Sequence, residues 1–67
     1  MSLRARLAVR LRTLRRDRGL TQQQLAAKAG LSREYLARLE RARQDPTLST
    51  LAKLAKALRV TAADLLR

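Results

Sequence analysis

The sequence predicts an all-α fold, a compact five-helix domain that spans residues 1–67. Leu, Ala and Arg, which favour helices, dominate the chain, whereas Gly occurs only twice and Pro once. Leucines recur at intervals of three and four residues, the spacing of one helix face. Ser and Thr stand where the leucine-rich stretches begin, as N-caps do. At this size only about 60% of the unfolded surface is buried on folding, so tight helix packing must stabilise the domain.

The stretch TQQQLAAKAGLSREYLARLE carries the signals of two short helices joined by a tight turn. Thr21 begins a predicted capping box, and Gly30 is suited to the left-handed conformation that ends a helix. Ser32 is the predicted cap of the next helix. Because only Leu31 separates Gly30 from Ser32, the two helices must meet at a steep angle and share a core. This pattern predicts a helix-turn-helix at the second and third helices.

Three further helices are predicted around this stretch. The first runs from about Leu3 to Arg18, the fourth follows a cap at Thr47 and ends near Leu58, and a short fifth helix follows Thr61. Val9 lies opposite the apolar stripe of the first helix and should be exposed. The residues expected to face the core are Leu3, Leu7, Leu11, Leu14, Leu25, Ala26, Ala29, Leu36, Leu39, Leu48, Leu51, Leu54, Ala55 and Leu58.

The charge predicts a polyanionic partner. Sixteen Lys and Arg residues against five Asp and Glu residues give a net charge of +11, and thirteen of the sixteen are Arg. A GC-rich genome would explain part of the Arg excess but not its sign. The stretch MSLRARLAVRLRTLRR also has the composition of a transit peptide or a membrane-surface helix. Its leucines are needed for the core, however, and no apolar run approaches the roughly 18 residues of a membrane span. We therefore expect no membrane partner.

The composition argues against catalysis. The chain has no Cys and no His, and its five acidic residues are scattered, so that no two form a cleft by their spacing. It also lacks a Gly-rich phosphate loop and a metal-ligand cluster, and we expect no enzyme activity, no metal, no cofactor and no small-molecule effector. Single-stranded RNA is bound largely by aromatic stacking, and the chain has one Tyr, so double-stranded DNA is the favoured partner.

These residues resemble the lambda-repressor/Cro-like helix-turn-helix domain, the xenobiotic-response-element type of bacterial transcription regulator. The resemblance covers about Leu7 to Leu66 and is most specific from Gln22 to Arg41, and the segment LERARQDPTLSTLAKLAKAL continues the family pattern. The matching residue types in the helix-turn-helix are Leu25, Ala26, Ala29, Gly30, Leu31, Leu36 and Leu39. The resemblance implies a cytoplasmic, nucleoid-associated regulator, repressor-like, in a bacterium or phage. The alternative is an antitoxin or partner-binding adaptor of the same fold.

Two positions depart from the family pattern. Ala42 and Arg59 stand where the family usually has Gly, after the third and fourth helices. If either backbone is left-handed, a residue with a Cβ costs roughly 1–2 kcal/mol there. Arg59 alternatively ends the fourth helix in another way.

The outward face of the third helix, Ser32–Glu40, is the predicted base-reading surface. Arg33 and Arg38 suit guanine O6 and N7, Glu34 suits cytosine N4, and Ala37 leaves space for a thymine methyl. The resemblance implies base contacts at the positions of Arg33, Glu34 and Arg38. The alternative for Glu34 is a solvated ion pair with Arg38 one turn away.

Phosphate contacts are predicted at the helix N-termini and in the loop after the third helix. Gln22 and Gln23 lie at the start of the second helix, where free N–H groups attract anions, although plain solvation would also explain them. The resemblance implies backbone contacts by Gln22, Arg41 and Arg43. Tyr35 has two interpretations, a phosphate contact or a cover over the fourth helix.

Two further predictions concern contacts between helices and between chains. Arg15 borders the core stripe of the first helix and Glu40 ends the third, and the resemblance implies a buried ion pair between them. Because one half-site offers few contacts, we expect a homodimer on a two-fold operator, weak without DNA. The surface left for pairing is the fifth helix and its approach, with Val60, Leu65, Leu66 and Arg67.

Overall fold

Five α-helices joined by short loops make up the computed structural model, which describes all 67 residues. They are α1 (Leu3–Asp17), α2 (Gln22–Ala29), α3 (Arg33–Glu40), α4 (Leu48–Leu58) and α5 (Ala62–Leu65). The predicted all-α class and the predicted helix-turn-helix at α2 and α3 are confirmed. None of the helices combines the length and the apolar character needed to cross a membrane.

Every helix begins after a Ser or Thr whose side-chain oxygen accepts a backbone N–H bond. The five caps are Ser2, Thr21, Ser32, Thr47 and Thr61. Thr21 and Thr61 belong to complete capping boxes, in which the side chains of Gln24 and Asp64 accept from the cap N–H. Hydrogen bonding to Thr61, chiefly from its backbone N–H to the Asp64 carboxylate, holds the pKa of that carboxyl below its ordinary value. Each such cap contributes about 1 kcal/mol to helix stability.

Four helices end in the same left-handed turn. The left-handed residues are Gly19, Gly30, Ala42 and Arg59, with φ of 66°, 69°, 59° and 58°. In each case the next N–H donates to a carbonyl five residues back, at 2.9 to 3.1 Å, the bond of a Schellman motif. Ala42 and Arg59 therefore do occupy the conformation that the family fills with Gly. The alternative ending considered for Arg59 is wrong.

The core is a single cluster of 13 buried Leu and Ala residues drawn from all five helices. Most predicted core positions are confirmed, and Val9 is exposed as predicted. Leu3 and Leu48 are corrections, since they are 56% and 86% exposed. Each is the first residue of its helix. Because side chains tilt toward the N-terminus of a helix, those of Leu3 and Leu48 point past the edge of the core.

The packing order leaves one face of α3 free. α3 packs against α1 and α2, while α4 packs against α2 and α5. α5 also contacts α1, which closes the bundle. The side of α3 that carries Arg33, Glu34 and Arg38 is nevertheless exposed to solvent.

We expect Arg59→Gly to raise the free energy of unfolding by about 0–1.5 kcal/mol. Glycine removes a left-handed backbone strain of about 1–2 kcal/mol, which raises stability. It also makes the unfolded chain more flexible, which lowers stability by about 0.5–1 kcal/mol. Urea denaturation measures the difference. The matched control is Ala52→Gly, at an exposed position inside α4, which should lower stability by about 0.5–1 kcal/mol. A destabilisation of equal size in both variants would contradict the assignment of strain to Arg59.

Candidate nucleic-acid interface

Helix α3 has one apolar side and one open side. Leu36 and Leu39 are 0% and 1% exposed and anchor the helix in the core. Arg33, Glu34 and Arg38 are exposed, and Ala37 is half-buried among them. The four predicted base-reading residues thus lie together on the solvent-open surface of one rigid helix.

A buried carboxylate at the end of α3 fixes that helix against its neighbours. The Arg15 guanidinium donates to both Glu40 carboxylate oxygens, from Nε at 2.7 Å and from Nη2 at 3.0 Å. Gln22 Nε2 donates to Glu40 Oε1 at 3.1 Å, and Arg12 donates to the Glu40 backbone carbonyl. Arg15 also donates to the carbonyl of Leu20 at 2.9 Å. These contacts join α1, the start of α2 and the end of α3, and they confirm the predicted ion pair.

The pair is almost fully removed from water. The side chains of Arg15 and Glu40 are 11% and 2% exposed, and every buried side-chain polar atom has a hydrogen-bond partner. A buried pair gains little net stability over apolar residues, because desolvation offsets the attraction. Loss of one partner, however, leaves a buried charge and costs far more. The Arg15–Glu40 pair therefore acts mainly by setting the position of α3.

The predicted alternative for Glu34, an ion pair with Arg38, is absent. The salt bridges in the structure are Arg4–Asp45, Arg15–Glu40 and Arg67–Asp64. Arg38 instead donates from Nε to Gln44 Oε1 at 3.2 Å. The carboxylate of Glu34 is consequently free on the open face of α3.

Tyr35 packs against α4. Its side chain is half-buried, and its hydroxyl lies 3.2 Å from Thr50 Oγ1 in a hydrogen bond that either hydroxyl can donate. Of the two interpretations of Tyr35, the structure shows the cover over α4. The predicted phosphate contact would require this hydrogen bond to be exchanged.

The other predicted phosphate-contacting residues lie at the start of α2 and in the loop after α3. Gln23, Arg41 and Arg43 are exposed. Gln22 is half-buried and uses one amide N–H on Glu40, which leaves its second N–H for a phosphate. Gln23, Arg33 and Glu34 also line a shallow groove between α2 and α3.

The one acid in the loop after α3 is neutralised. Arg4 of α1 donates to both oxygens of Asp45, at 2.5 and 2.9 Å, across the surface. This hydrogen bonding holds the pKa of the Asp45 carboxyl below its ordinary value. Arg41 and Arg43 form no salt bridge, so the loop presents unpaired positive charge.

The predicted dimer surface needs one correction. Leu65 is 0% exposed and belongs to the core of its own chain, so it is not available to a second copy. Val60 and Leu66 are half-buried and Arg67 is exposed. Sequence spacing alone did not show which of the two adjacent leucines of the short α5 turns inward.

Sequence reasoning missed four residues that shape this site, Arg4, Arg12, Gln44 and Thr50. Each acts through a side-chain contact with a residue that is distant in the chain or outside the helix pattern. No local motif signals such contacts.

The fold and this face define a helix-turn-helix protein with a basic, exposed recognition helix. The family model described as helix-turn-helix matches residues 11–65. The chain thus belongs to the helix-turn-helix family of the Cro/CI type, a family of DNA-binding transcriptional regulators.

Individual relatives agree with this assignment. The uncharacterized HTH-type transcriptional regulator y4dJ of Sinorhizobium fredii is 43% identical over 65 residues, 97% of this chain and 84% of that protein. The immunity repressor of Bacillus phage phi105 is 57% identical over 49 residues, 73% of this chain but only 34% of the repressor.

Solved structures agree as well. The hypothetical transcription factor NHTF from Neisseria superposes with a TM-score of 0.95 at 42% identity, over 98% of this chain and 76% of that one. The restriction-modification controller protein C.AhdI from Aeromonas hydrophila gives 0.90 at 37% identity, over 92% and 94%.

We expect Arg15→Ala to lower the free energy of unfolding by about 3–5 kcal/mol, because the buried Glu40 carboxylate loses its counter-charge. Thermal and urea denaturation measure the loss. Arg16→Ala is the matched control, since Arg16 is the exposed neighbour on α1 and makes no salt bridge. A loss below about 1 kcal/mol for Arg15→Ala would show that the pair behaves as a solvated one.

Proposed function

We propose that this protein is a sequence-specific regulator of transcription, repressor-like, that binds double-stranded DNA with α3 in the major groove. The observation that carries the proposal is the open, Arg-bearing face of α3 on a helix anchored by buried Leu36, Leu39 and Glu40. The major groove admits one α-helix, and only such an outward face reaches the base edges. The proposal includes no catalytic step and no cofactor, and places the protein with DNA in the cytoplasm.

Each residue of the open face has a role in reading bases. Arg33 and Arg38 each offer a planar fork of donors for guanine O6 and N7. Glu34, which is free of any salt bridge, accepts from cytosine N4. Ala37 contacts a thymine methyl. A face with two forked donors and one acceptor favours a half-site that contains G·C pairs in both orientations.

The surrounding groups hold the phosphates. The N-termini of α2 and α3 carry free N–H groups and a positive dipole end. Gln22 and Gln23 at α2 and Arg41 and Arg43 after α3 extend these two anchor points, and Tyr35 joins them only if its hydroxyl leaves Thr50. Such contacts set register and orientation but carry no base preference themselves.

We expect Arg38→Ala to cost roughly 1–3 kcal/mol on the preferred sequence and to erase the preference at one or two base pairs. Selection from a random duplex pool identifies the preferred sequence, and binding assays on single-base variants measure the loss.

The control is Arg18→Ala, which removes the same charge beside a groove between α2 and α4, away from α3. Equal weakening on preferred and random DNA by Arg38→Ala would make Arg38 a phosphate contact. If the wild-type protein enriches no sequence from the random duplex pool, the proposed function is wrong.

A homodimer on a two-fold operator is part of the proposal. Val60, Leu66 and Arg67 provide a small apolar and charged surface at α5, which suits a weak pair that tightens when DNA aligns two half-sites about one helical turn apart.

We expect sedimentation velocity to show a concentration-dependent monomer–dimer equilibrium that shifts to two chains per duplex with operator DNA. The logarithm of the binding constant should fall linearly with the logarithm of the salt concentration. The expected slope is on the order of −6 to −9, at about 0.9 per phosphate neutralised. Leu66→Glu should weaken the pair, and thermal unfolding measures its separate effect on the fold, because Leu66 is half-buried against the core. One chain per duplex at all concentrations contradicts the dimer.

A further inference from the structure

The side chain of Arg38 is held by neighbouring groups before any DNA is bound. Its Nε donates to Gln44 Oε1 at 3.2 Å, and its guanidinium carbon lies 5.7 Å from the centre of the Tyr35 ring. Arg38 is nevertheless exposed to solvent. One edge and one face of the guanidinium are therefore engaged, and the rest is open.

Both supporting residues make further contacts of their own. The Tyr35 hydroxyl is hydrogen-bonded to Thr50 of α4 at 3.2 Å, which pins the ring. The amide nitrogen of Gln44 makes a long hydrogen bond of 3.5 Å to the Asp45 carbonyl, while its oxygen accepts from Arg38. Arg4 of α1 in turn donates to both carboxylate oxygens of Asp45. A contiguous set of contacts thus runs from α1 through the loop to the base-reading helix.

The chemistry of this arrangement leaves the functional end of Arg38 free. A guanidinium has five N–H donors, one on Nε and four on the two Nη atoms. Gln44 takes the Nε donor, so the two Nη groups remain for the acceptors O6 and N7 of one guanine. Tyr35 adds a cation–π contact, which favours a ring-stacked position of the same group.

We infer that Gln44 and Tyr35 are positioning residues that pre-organise Arg38 and thereby raise its selectivity for one base pair. The inference rests on the proposed function and assigns a determinant of specificity outside the base-reading face. An unrestrained Arg loses rotamer freedom on binding, whereas a side chain already held in place loses less. A mobile Arg side chain can also bond to acceptors on other bases. Holding Arg38 in place therefore increases its discrimination between base pairs.

Gln44→Ala tests the inference, because Gln44 lies in a loop and outside the core. We expect discrimination against the substituted base pair at the Arg38 position to fall by about two- to tenfold. Affinity for random duplex DNA should stay unchanged. In an Arg38→Ala background, the Gln44→Ala change should have no further effect, which a double-mutant cycle measures.

A second measurement needs no DNA. Solvent exchange of the Arg38 Nε–H proton, followed by NMR on the free protein, should be slower than that of Arg33 and should become equal to it in Gln44→Ala. Tyr35→Phe keeps the ring and should retain most discrimination, whereas Tyr35→Leu should lose it. Thermal unfolding of each variant separates this loss from unfolding.

Three outcomes would overturn the inference. They are equal exchange for Arg38 and Arg33 in the wild type, unchanged discrimination in Gln44→Ala, or an effect of Gln44→Ala that persists without Arg38, which would make Gln44 a direct base contact. If the wild-type protein selects no sequence at all, the proposed function fails. The exchange result still tests the restraint on Arg38.

Discussion

The buried carboxylate of Glu40 is the group on which the position of the recognition helix depends. It lies at the C-terminal end of α3, where the helix dipole disfavours negative charge. Arg15 neutralises the carboxylate, and Arg12 donates to the carbonyl of the same residue. The two arginines of α1 thus offset both the buried charge and the dipole end. Since Gln22 adds a bond from the start of α2, one acidic residue links α1, α2 and α3.

The helix-turn-helix depends on backbone as much as on side chains. Thr21 and Ser32 fix where α2 and α3 begin, and Gly30 turns the chain between them at φ 69°. Gly30 has open space where a Cβ would lie, so its backbone conformation and not crowding makes glycine suitable. In the loop after α3 the left-handed residue is not a glycine. Ala42 adopts φ 59° although it carries a Cβ. Strain is therefore placed beside the interface, in the segment that carries Arg41, Arg43 and Gln44.

The arginines of the candidate interface differ in how firmly their side chains are held. Arg38 is held by a ring and an amide, whereas Arg41 and Arg43 form no salt bridge. This division suits the two tasks of such a surface, since base recognition needs a defined direction and phosphate attraction does not. The pairing of Arg4 with Asp45 removes the one negative charge in the loop, so that the field on this flank stays positive.

Local chemistry written in the sequence determined the helices, the turn and most of the core. Caps, glycines and leucine spacing are local signals, and α1 to α5 follow them to within a residue or so. The outward set Arg33, Glu34, Ala37 and Arg38 was also predictable, because helical periodicity places it opposite Leu36 and Leu39. The Arg15–Glu40 pair was predictable mainly through family resemblance.

Only the tertiary structure decided which leucines of the periodic pattern are buried in the core and which are exposed. Leu3 and Leu48 continue the stripes of their helices yet point past the packed layer, while Leu65 turns inward and Leu66 only partly. It also decided that Tyr35 covers α4 and that Gln44 supports Arg38, contacts that join separate segments. The physical reason is that periodicity gives the direction of a side chain on its own helix. What that side chain meets depends on the distance and angle to elements far away in the chain.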